Sequence, residues 1–314
     1  MTPGPDLGPE GERAYLARLA KQIADLGLAP PGVGAGDDTA YVTLPGGESL
    51  LLTADAVVED VHFDLAYCSP ADVGWKALSV NVSDIASMGG RPMHALVTVV
   101  RPKGFDLDGL FAGLAEAALH YGCSLAGGDL SAGTELVVSV ALTGTTDGRA
   151  PILRSGAAAG DALYVTGGLG RSAAGLALLQ ADPGAVSGPL VDAHRRPEAL
   201  VGEGLAAAAG GASAMIDISD GLASELDHLA RGSAVGVSLE LVPVADGATF
   251  EHAMAGGEDY ELLIAAPDPA RLTEEFHRRG LAEPIRIGTC TSDGAQRTLE
   301  GKRYDSAGYE HRLD

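Results

Sequence analysis

Between residues 36 and 261 the chain carries six carboxylate clusters, each beside glycine or another small residue at the end of a predicted element. They are Gly36-Asp37-Asp38, Thr53-Ala54-Asp55, Asn81-Val82-Ser83-Asp84, Gly127-Gly128-Asp129, Asp217-Ile218-Ser219-Asp220-Gly221 and Gly256-Gly257-Glu258-Asp259-Tyr260-Glu261. No lysine interrupts any of them. Converging carboxylates repel one another, so a fold that gathers them is stable only if cations fill the site, and hard oxygen donors suit Mg²⁺. Several such ions in turn imply phosphates. A single Asp-Gly pair is ordinarily a turn or a helix cap; six clusters at element ends favour a site. Asp84 is the sharpest case, because its neighbours at helical spacing, Ala77, Val80, Asn81 and Met88, form an uncharged stripe rather than a solvated face. His62, shortly after Asp55 in DAVVEDVHF, fits either a packed histidine or a phosphate contact.

The elements around these clusters are predicted from periodicity and punctuation. Tyr15, Leu16, Leu19, Ile23 and Leu26 recur at helical spacing between Glu10 and Leu26, and Pro30-Pro31 closes that segment. Strands are expected at Ala40 to Leu44 and Leu50 to Asp55 about the turn Pro45-Gly46-Gly47. Ser69-Pro70, with Asp72 three residues past the cap, opens a helix that Gly89-Gly90 ends. Strand His94 to Val100, helix Leu107 to Tyr121, and strands Ser124 to Ala126 and Leu136 to Leu142 complete a first half ending near Ala150. The second half has strands at Ala162 to Thr166, Ala214 to Ile218, Val235 to Leu241, Glu261 to Ala265 and Ile285 to Thr289. Its helices are Arg171 to Leu179, Leu222 to Arg231 and Pro269 to Arg279, and a Pro/Gly/Asp-rich connection runs from Asp182 to Pro197. Strands and helices mix without regular βαβ alternation, which makes the class α+β, in two domains expected at 1–150 and 151–314.

Composition narrows the partners. Asp and Glu total 43 against 21 Lys and Arg, a formal charge of −22 that repels nucleic acid and anionic membranes. No stretch approaches the ~20 apolar residues of a membrane span, and the opening MTPGPDLGPEGER lacks a basic segment followed by an apolar run. Cys68, Cys123 and Cys290 lie far apart with no CxxC pair, so reduced thiols and a cytoplasmic location are expected. GxxxxGK[ST] is absent, as are kinase signatures of the HRD and DFG type. LYVTGGLGRSAAG imitates a dinucleotide fingerprint, but the alternating βαβ pattern that would confirm it is missing around it.

GAGDDTA, LTADAVVEDVHF, KALSVNVSDIASMGGRP, AGGDLS, ILRSGA, IDISDGL and GGEDYEL follow one another from about Gly34 to Ala265, with a weaker echo in the terminal GYEH. Together they resemble the thiamine-monophosphate kinases, within the superfamily of aminoimidazole ribonucleotide synthetases, selenophosphate synthetases and hydrogenase-maturation proteins. The resemblance implies a synthetase-like architecture: an N-terminal α/β domain that dimerises through its sheet, a C-terminal α+β domain completing the cleft, and ATP bound between them. It implies an enzyme that takes thiamine monophosphate and ATP, with several Mg²⁺ ions, and works as a homodimer. By motif, Asp38, Thr53, Ala54 (through its carbonyl), Asp55, Asp84, Asp129, Asp217 and Asp220 are the implied Mg²⁺ ligands. Gly128, Asp129, Arg154 and Ser219 are the implied ATP contacts, with Phe111 near the adenine. His62 and Glu258 are implied at the thiamine phosphate, and Asp38, Asp84, Asp217 and Arg154 at the transferring group. This chain has Thr53-Ala54-Asp55 where many relatives read Ser-Thr-Asp, so a hydroxyl is replaced by a main-chain oxygen. Anchoring on GYEH places Ser306 where relatives often carry an aromatic beside the thiamine, with Tyr304 and Tyr309 as alternatives. A sister synthetase such as selenophosphate synthetase, or a non-catalytic nucleotide- or metal-binding scaffold, is the competing expectation.

Overall fold

The computed structural model describes residues 12–28, 32–34, 36–184 and 187–304. The described parts of Met1–Ile85 and Arg91–Ala150 form one compact unit, and Ala86–Gly90 with the described part of Pro151–Tyr309 form a second. In chain order the first half holds α1 (Glu12–Asp25), β1 (Gly32–Val33), β2 (Ala40–Thr43), β3 (Ser49–Val58), α2 (Pro70–Ser87), β4 (Arg91–Arg101), α3 (Leu107–Tyr121), β5 (Ser124–Ala132) and β6 (Val137–Thr145). The second holds β7 (Ala162–Val165), α4 (Arg171–Ala181), α5 (Pro189–Arg195), α6 (Val201–Gly210), β8 (Ala214–Asp217), α7 (Leu222–Ser233), β9 (Gly236–Leu239), α8 (Phe250–Ala255), β10 (Leu262–Ala266), α9 (Pro269–Arg278), β11 (Ile285–Thr291), β12 (Arg297–Leu299) and β13 (Lys302–Arg303).

The first sheet runs β1-β2-β3-β6-β4-β5, antiparallel except for the β4–β5 pair. Alternation decides its faces. Leu51 and Val57 of β3, Val138, Val140 and Leu142 of β6, and Ala95, Val97 and Val99 of β4 all point to one buried side. Helix α2 covers that side, with Ile85 packed on Gly144 of β6. Its start is a reciprocal cap: the Asp72 amide donates to Ser69 Oγ at 3.2 Å, and the Ser69 amide donates to Asp72 Oδ2 at 3.0 Å. The other side of the sheet carries Leu52, Ala54, Ala56 and Leu96 and is exposed.

Strand β5 is longer than its sequence suggests. Gly127-Gly128 looks like a turn, yet both residues lie inside the strand, at φ 150° and 154° beside a bulge opposite Ala95 and Leu96. A side chain at Gly128 would run into the Val97 carbonyl, so only glycine lets the two strands approach there. The bulge re-registers the strand so that Asp129 stands opposite Thr98.

The second sheet runs β13-β12-β9-β11-β7-β10-β8, with β12–β9 its only parallel pair among the described residues. Strands β7 and β10 are buried on both faces because helices cover both. Leu163, Val165 and Leu263 meet Leu222, Leu226 and Leu229 of α7 on one side. Tyr164, Leu262 and Ile264 meet Ala206 and Ala207 of α6 and Leu272 and Phe276 of α9 on the other. The segment expected as an irregular connection contains a helix, α5, which lies against α4 where Gly175 approaches the Leu190 carbonyl. Strand β7 has only antiparallel neighbours, β10 and β11, so the fingerprint-like GGLGRSAA segment is not part of a dinucleotide-binding βαβ unit.

Glycine also sets the α2–α3 crossing: a β-carbon on Gly74 would overlap the Leu110 carbonyl, and one on Gly113 the Ala71 carbonyl. Gly113→Ala is expected to lower unfolding free energy by about 2–3 kcal/mol in urea titration. Gly46→Ala, where no atom lies within 4 Å, should change it by less than about 0.5 kcal/mol.

Candidate active site

In the first unit the resemblance-derived residues sit in the loop before β2, in the middle of β3 and in the turn that follows it, on α2 and α3, and on β5. Thr53 and Asp55, two apart on β3, share the helix-covered side of the sheet, paired with Leu142 and Val140 of β6. Helix α2 meets them there. Thr53 Oγ1 donates to Asp84 Oδ2 at 2.5 Å, and the Asp55 amide donates to Asn81 Oδ1 at 2.9 Å. Asn81 is fully buried, and its amide group donates in turn to the Ala77 carbonyl at 3.0 Å. One turn of α2 therefore fixes both a carboxylate and the main chain that carries a second one. Ala54, between them, points to the opposite side.

Asp129 lies exposed on β5, where Ser131 Oγ donates to its Oδ2 at 3.2 Å. Gly128 precedes it, in register with Val97 just past the bulge. Asp38 is half-buried in the loop before β2, where its amide donates to Asp37 Oδ1 at 3.1 Å. Phe111 is 42% exposed on the outer side of α3. His62 follows β3 in a tight turn: its Nδ1 accepts the Val58 amide at 3.1 Å, so a neutral ring carries its proton on Nε2. Lys76 of α2, 1% exposed, donates from Nζ to the His62 carbonyl at 3.0 Å and holds that turn from below.

In the second unit Asp217 ends β8, buried, opposite Leu262 of β10. Ser219 and Asp220 form the half-buried step into α7, and the Asp220 amide donates to Glu225 Oε1 at 3.1 Å. Arg154 is half-buried before β7, with its carbonyl accepting from Ser233 Oγ at 3.3 Å. Glu258 stands in the left-handed region, φ 66°, and donates its amide to the Ser219 carbonyl at 2.7 Å. Ser306 and Tyr309 lie outside the described residues. Tyr304 packs against the core beneath α7; burial pushes its phenol upward, and its hydroxyl has no hydrogen-bond partner among the described residues. Its ring is therefore committed to the core.

Every side-chain donor at Asp38, Thr53, Asp55, Asp84, Asp129, Asp217 and Asp220 is oxygen, the donor type Mg²⁺ takes, so the set fits that ion chemically. Among the described residues no three His, Cys, Asp or Glu side chains gather into one metal-holding group. In the first unit neutral partners, Thr53 and Asn81, hold the acidic residues in place.

Sequence reasoning missed several supporting residues. Asn81 enters the sequence reading only within a cluster and the uncharged stripe beside Asp84, although a fully buried amide has to have partners. Lys76, the one charge in an apolar helical run, was the signal for a buried anchor. Within GGEDYEL only Glu258 was singled out, yet Asp259 and Glu261 are the more deeply placed. Asp259 Oδ2 accepts the Gly170 amide at 2.5 Å and Oδ1 the Ser172 amide at 3.3 Å, capping α4, whose own N-cap residue supplies no side chain. The helix end that the fingerprint-like segment would offer to a phosphate is thus filled by a protein carboxylate. Glu261, 8% exposed, accepts from Thr166 Oγ1 at 2.6 Å and from Arg171 at 3.3 Å.

Burial pushes the Glu261 carboxyl up from 4.5 to about 7, opposed by the Thr166 hydroxyl and Arg171 and reinforced by Asp259 and Glu203. Burial likewise pushes Asp259 up to about 6, against the amides of Gly170, Ser172 and Arg171. Between its ordinary pKa and about 7 the folded chain holds a proton on Glu261 that the unfolded chain has released. This group's contribution therefore falls as pH rises through that window, by a total on the order of 3 kcal/mol. Glu261→Gln, which carries no titrating proton, should gain thermal stability relative to the parent as pH goes from 5 to 8. A difference in melting temperature that stays flat across that range would remove the assignment.

Family models match both halves: AIR synthase related protein, N-terminal domain, over residues 36–146, and AIR synthase related protein, C-terminal domain, over residues 158–299. The thiamine-monophosphate kinase of Mycobacterium tuberculosis is 39% identical over 305 residues, covering 91% of this chain and 90% of the relative. That of Bacillus subtilis is 38% identical over 247 residues, covering 73% and 76%. A solved structure described as AaThiL complexed with AMPPCP and TMP superposes with a TM-score of 0.84 at 32% identity, covering 96% of this chain and 97% of that one. With both family domains present and this identity sustained over nine-tenths of each chain, the protein belongs to the thiamine-monophosphate kinase family of AIR synthase related proteins.

Proposed function

We propose that this chain transfers the γ-phosphoryl group of ATP to the phosphate of thiamine monophosphate, giving thiamine diphosphate and ADP. The observation that carries the reading is the sustained identity to thiamine-monophosphate kinases along both family domains. The oxygen-only donor set supports it, because phosphoryl transfer is governed by positioning and charge neutralisation rather than by covalent chemistry of the protein.

The nucleophile is an oxygen of the substrate's own phosphate, whose second pKa near 6 leaves it largely dianionic at neutral pH, so no protein base has to remove a proton. That oxygen forms the new bond to Pγ while the bond from Pγ to the bridging oxygen of ADP breaks, and ADP leaves with the electron pair. Bound Mg²⁺ supplies neutralisation of phosphate charge during this exchange. Asp38, Thr53, the Ala54 carbonyl, Asp55, Asp84, Asp129, Asp217 and Asp220 hold the ions. Gly128, Asp129, Arg154 and Ser219 contact ATP, with Phe111 towards the adenine, and Arg154 carries positive charge to the transferring group. His62 donates its Nε2 proton to the thiamine phosphate and Glu258 orients the same substrate, with Ser306 at the substrate position where relatives often carry an aromatic.

Residues 1–150 then form the ATP-, Mg²⁺- and dimer-forming domain, and 151–314 complete the active site. The exposed apolar side of the first sheet, with Leu52 at 37% and Leu96 at 52% exposure, supports pairing with a second copy. Among the described residues no helix is long and apolar enough to cross a membrane. Three cysteines that lie far apart with no CxxC pair support a cytoplasmic reaction.

Incubation with Mg²⁺, ATP and thiamine monophosphate should yield thiamine diphosphate and ADP in equal amounts. ADP formed only with another acceptor would overturn the reading. Asp84→Asn keeps an acceptor for Thr53 but loses the charge, and should lower kcat by roughly 100-fold without a change in fold. Sedimentation should give twice the chain mass for the parent and the single-chain mass for Leu96→Asp; a monomeric parent would refute the dimer.

A further inference from the structure

Glu258 is held by more than its own backbone. His194 of α5, 2% exposed, places Nδ1 3.2 Å from Glu258 Oε2 and 3.1 Å from Ser172 Oγ, at the start of α4. A carboxylate oxygen that close needs a donor, and the ring atom facing it is Nδ1. The proton therefore sits on Nδ1, directed at Glu258, with Ser172 Oγ able to take a share of it as acceptor. Three segments distant in sequence, the first turn of α4, the end of α5 and the GGED loop, converge on one buried imidazole.

We propose that His194 is a positioning residue for the acceptor substrate, fixing the Glu258 carboxylate without touching any reacting atom. This inference rests on the reading that Glu258 faces the thiamine phosphate. The need for such a brace follows from the backbone. Glu258 and Tyr260 both stand in the left-handed region, at φ 66° and 52°, conformations a non-glycine residue holds only when its surroundings impose them. The main chain is tied by the Glu258 amide to Ser219 and by the Tyr260 amide to Ile218 at 2.9 Å. These bonds fix the loop, but they leave the Glu258 side-chain torsions open. The imidazole closes that freedom, and being buried it loses little to solvent screening.

The test separates this role from a purely structural one. His194→Leu should raise KM for thiamine monophosphate by roughly tenfold while KM for ATP stays within about twofold, and His194→Asn, whose side-chain amide can stand near Nδ1, should restore most of the loss. Because His194 acts through Glu258, the double variant His194→Leu/Glu258→Ala should be no worse than Glu258→Ala alone. Equal changes in both KM values, or additive losses in the double variant, would overturn the assignment. An arm without substrate keeps the inference readable even if the parent turns over no thiamine monophosphate. In ¹⁵N-detected spectra the His194 ring should show a protected Nδ1–H that is lost or shifted in Glu258→Ala. A ring signal indifferent to that substitution would likewise sink it.

Discussion

An excess of negative charge is the constraint on which the placement of the acidic residues depends. A chain with −22 formal charge resists any drift of acidic side chains towards one another, and here they are tied either by a neutral hydroxyl donor or through their own main-chain amides. Thr53 holds Asp84, Asn81 holds the backbone of Asp55, and Glu225 holds that of Asp220. Each of these anchors fixes position through a hydroxyl, a side-chain amide or a carboxylate and brings no positive charge of its own.

The GGEDYEL segment shows the same economy in the second unit. Its three acids have three different jobs. Glu258 is carried on a left-handed backbone and braced by an imidazole. Asp259 closes a helix that has no capping side chain of its own, and Glu261 is buried against Thr166 and Arg171. Only the first belongs to the proposed chemistry. The other two join the loop to α4, so the position of Glu258 depends on elements that precede it by most of the domain. A helix N-terminus beside a glycine-rich turn is often taken as an anion site, and here the anion is the protein's own.

Much of this was legible beforehand. Helix α2 could be read end to end, because Ser69-Pro70, Asp72 and Gly89-Gly90 are local signals and local hydrogen bonds satisfy them. The acidic motifs, and the family they resemble, were equally visible. Less visible were α5, hidden in a stretch rich in proline, glycine and aspartate, and α6, whose Gly204, Leu205, Ala206, Ala207 and Gly210 are all buried and so show no amphipathic period. Strand β5 is expected only from Ser124 to Ala126 and runs on to Ala132, since Gly127-Gly128 is as compatible with a bulge as with a loop end.

By itself the sequence determined the chemistry available to this protein: oxygen ligands at glycine-flanked positions, an acidic balance that repels nucleic acid, and two α+β domains. These follow from residue type and short-range periodicity, which act over a few neighbours. Tertiary structure alone decided which side chains support which. Asn81 under Asp55, Lys76 under His62, Asp259 on α4 and His194 against Glu258 are pairs separated by many residues. The physical reason is that a buried polar group takes whatever partner the packed fold brings to it, and that choice is made by the geometry of strands and helices rather than by spacing along the chain.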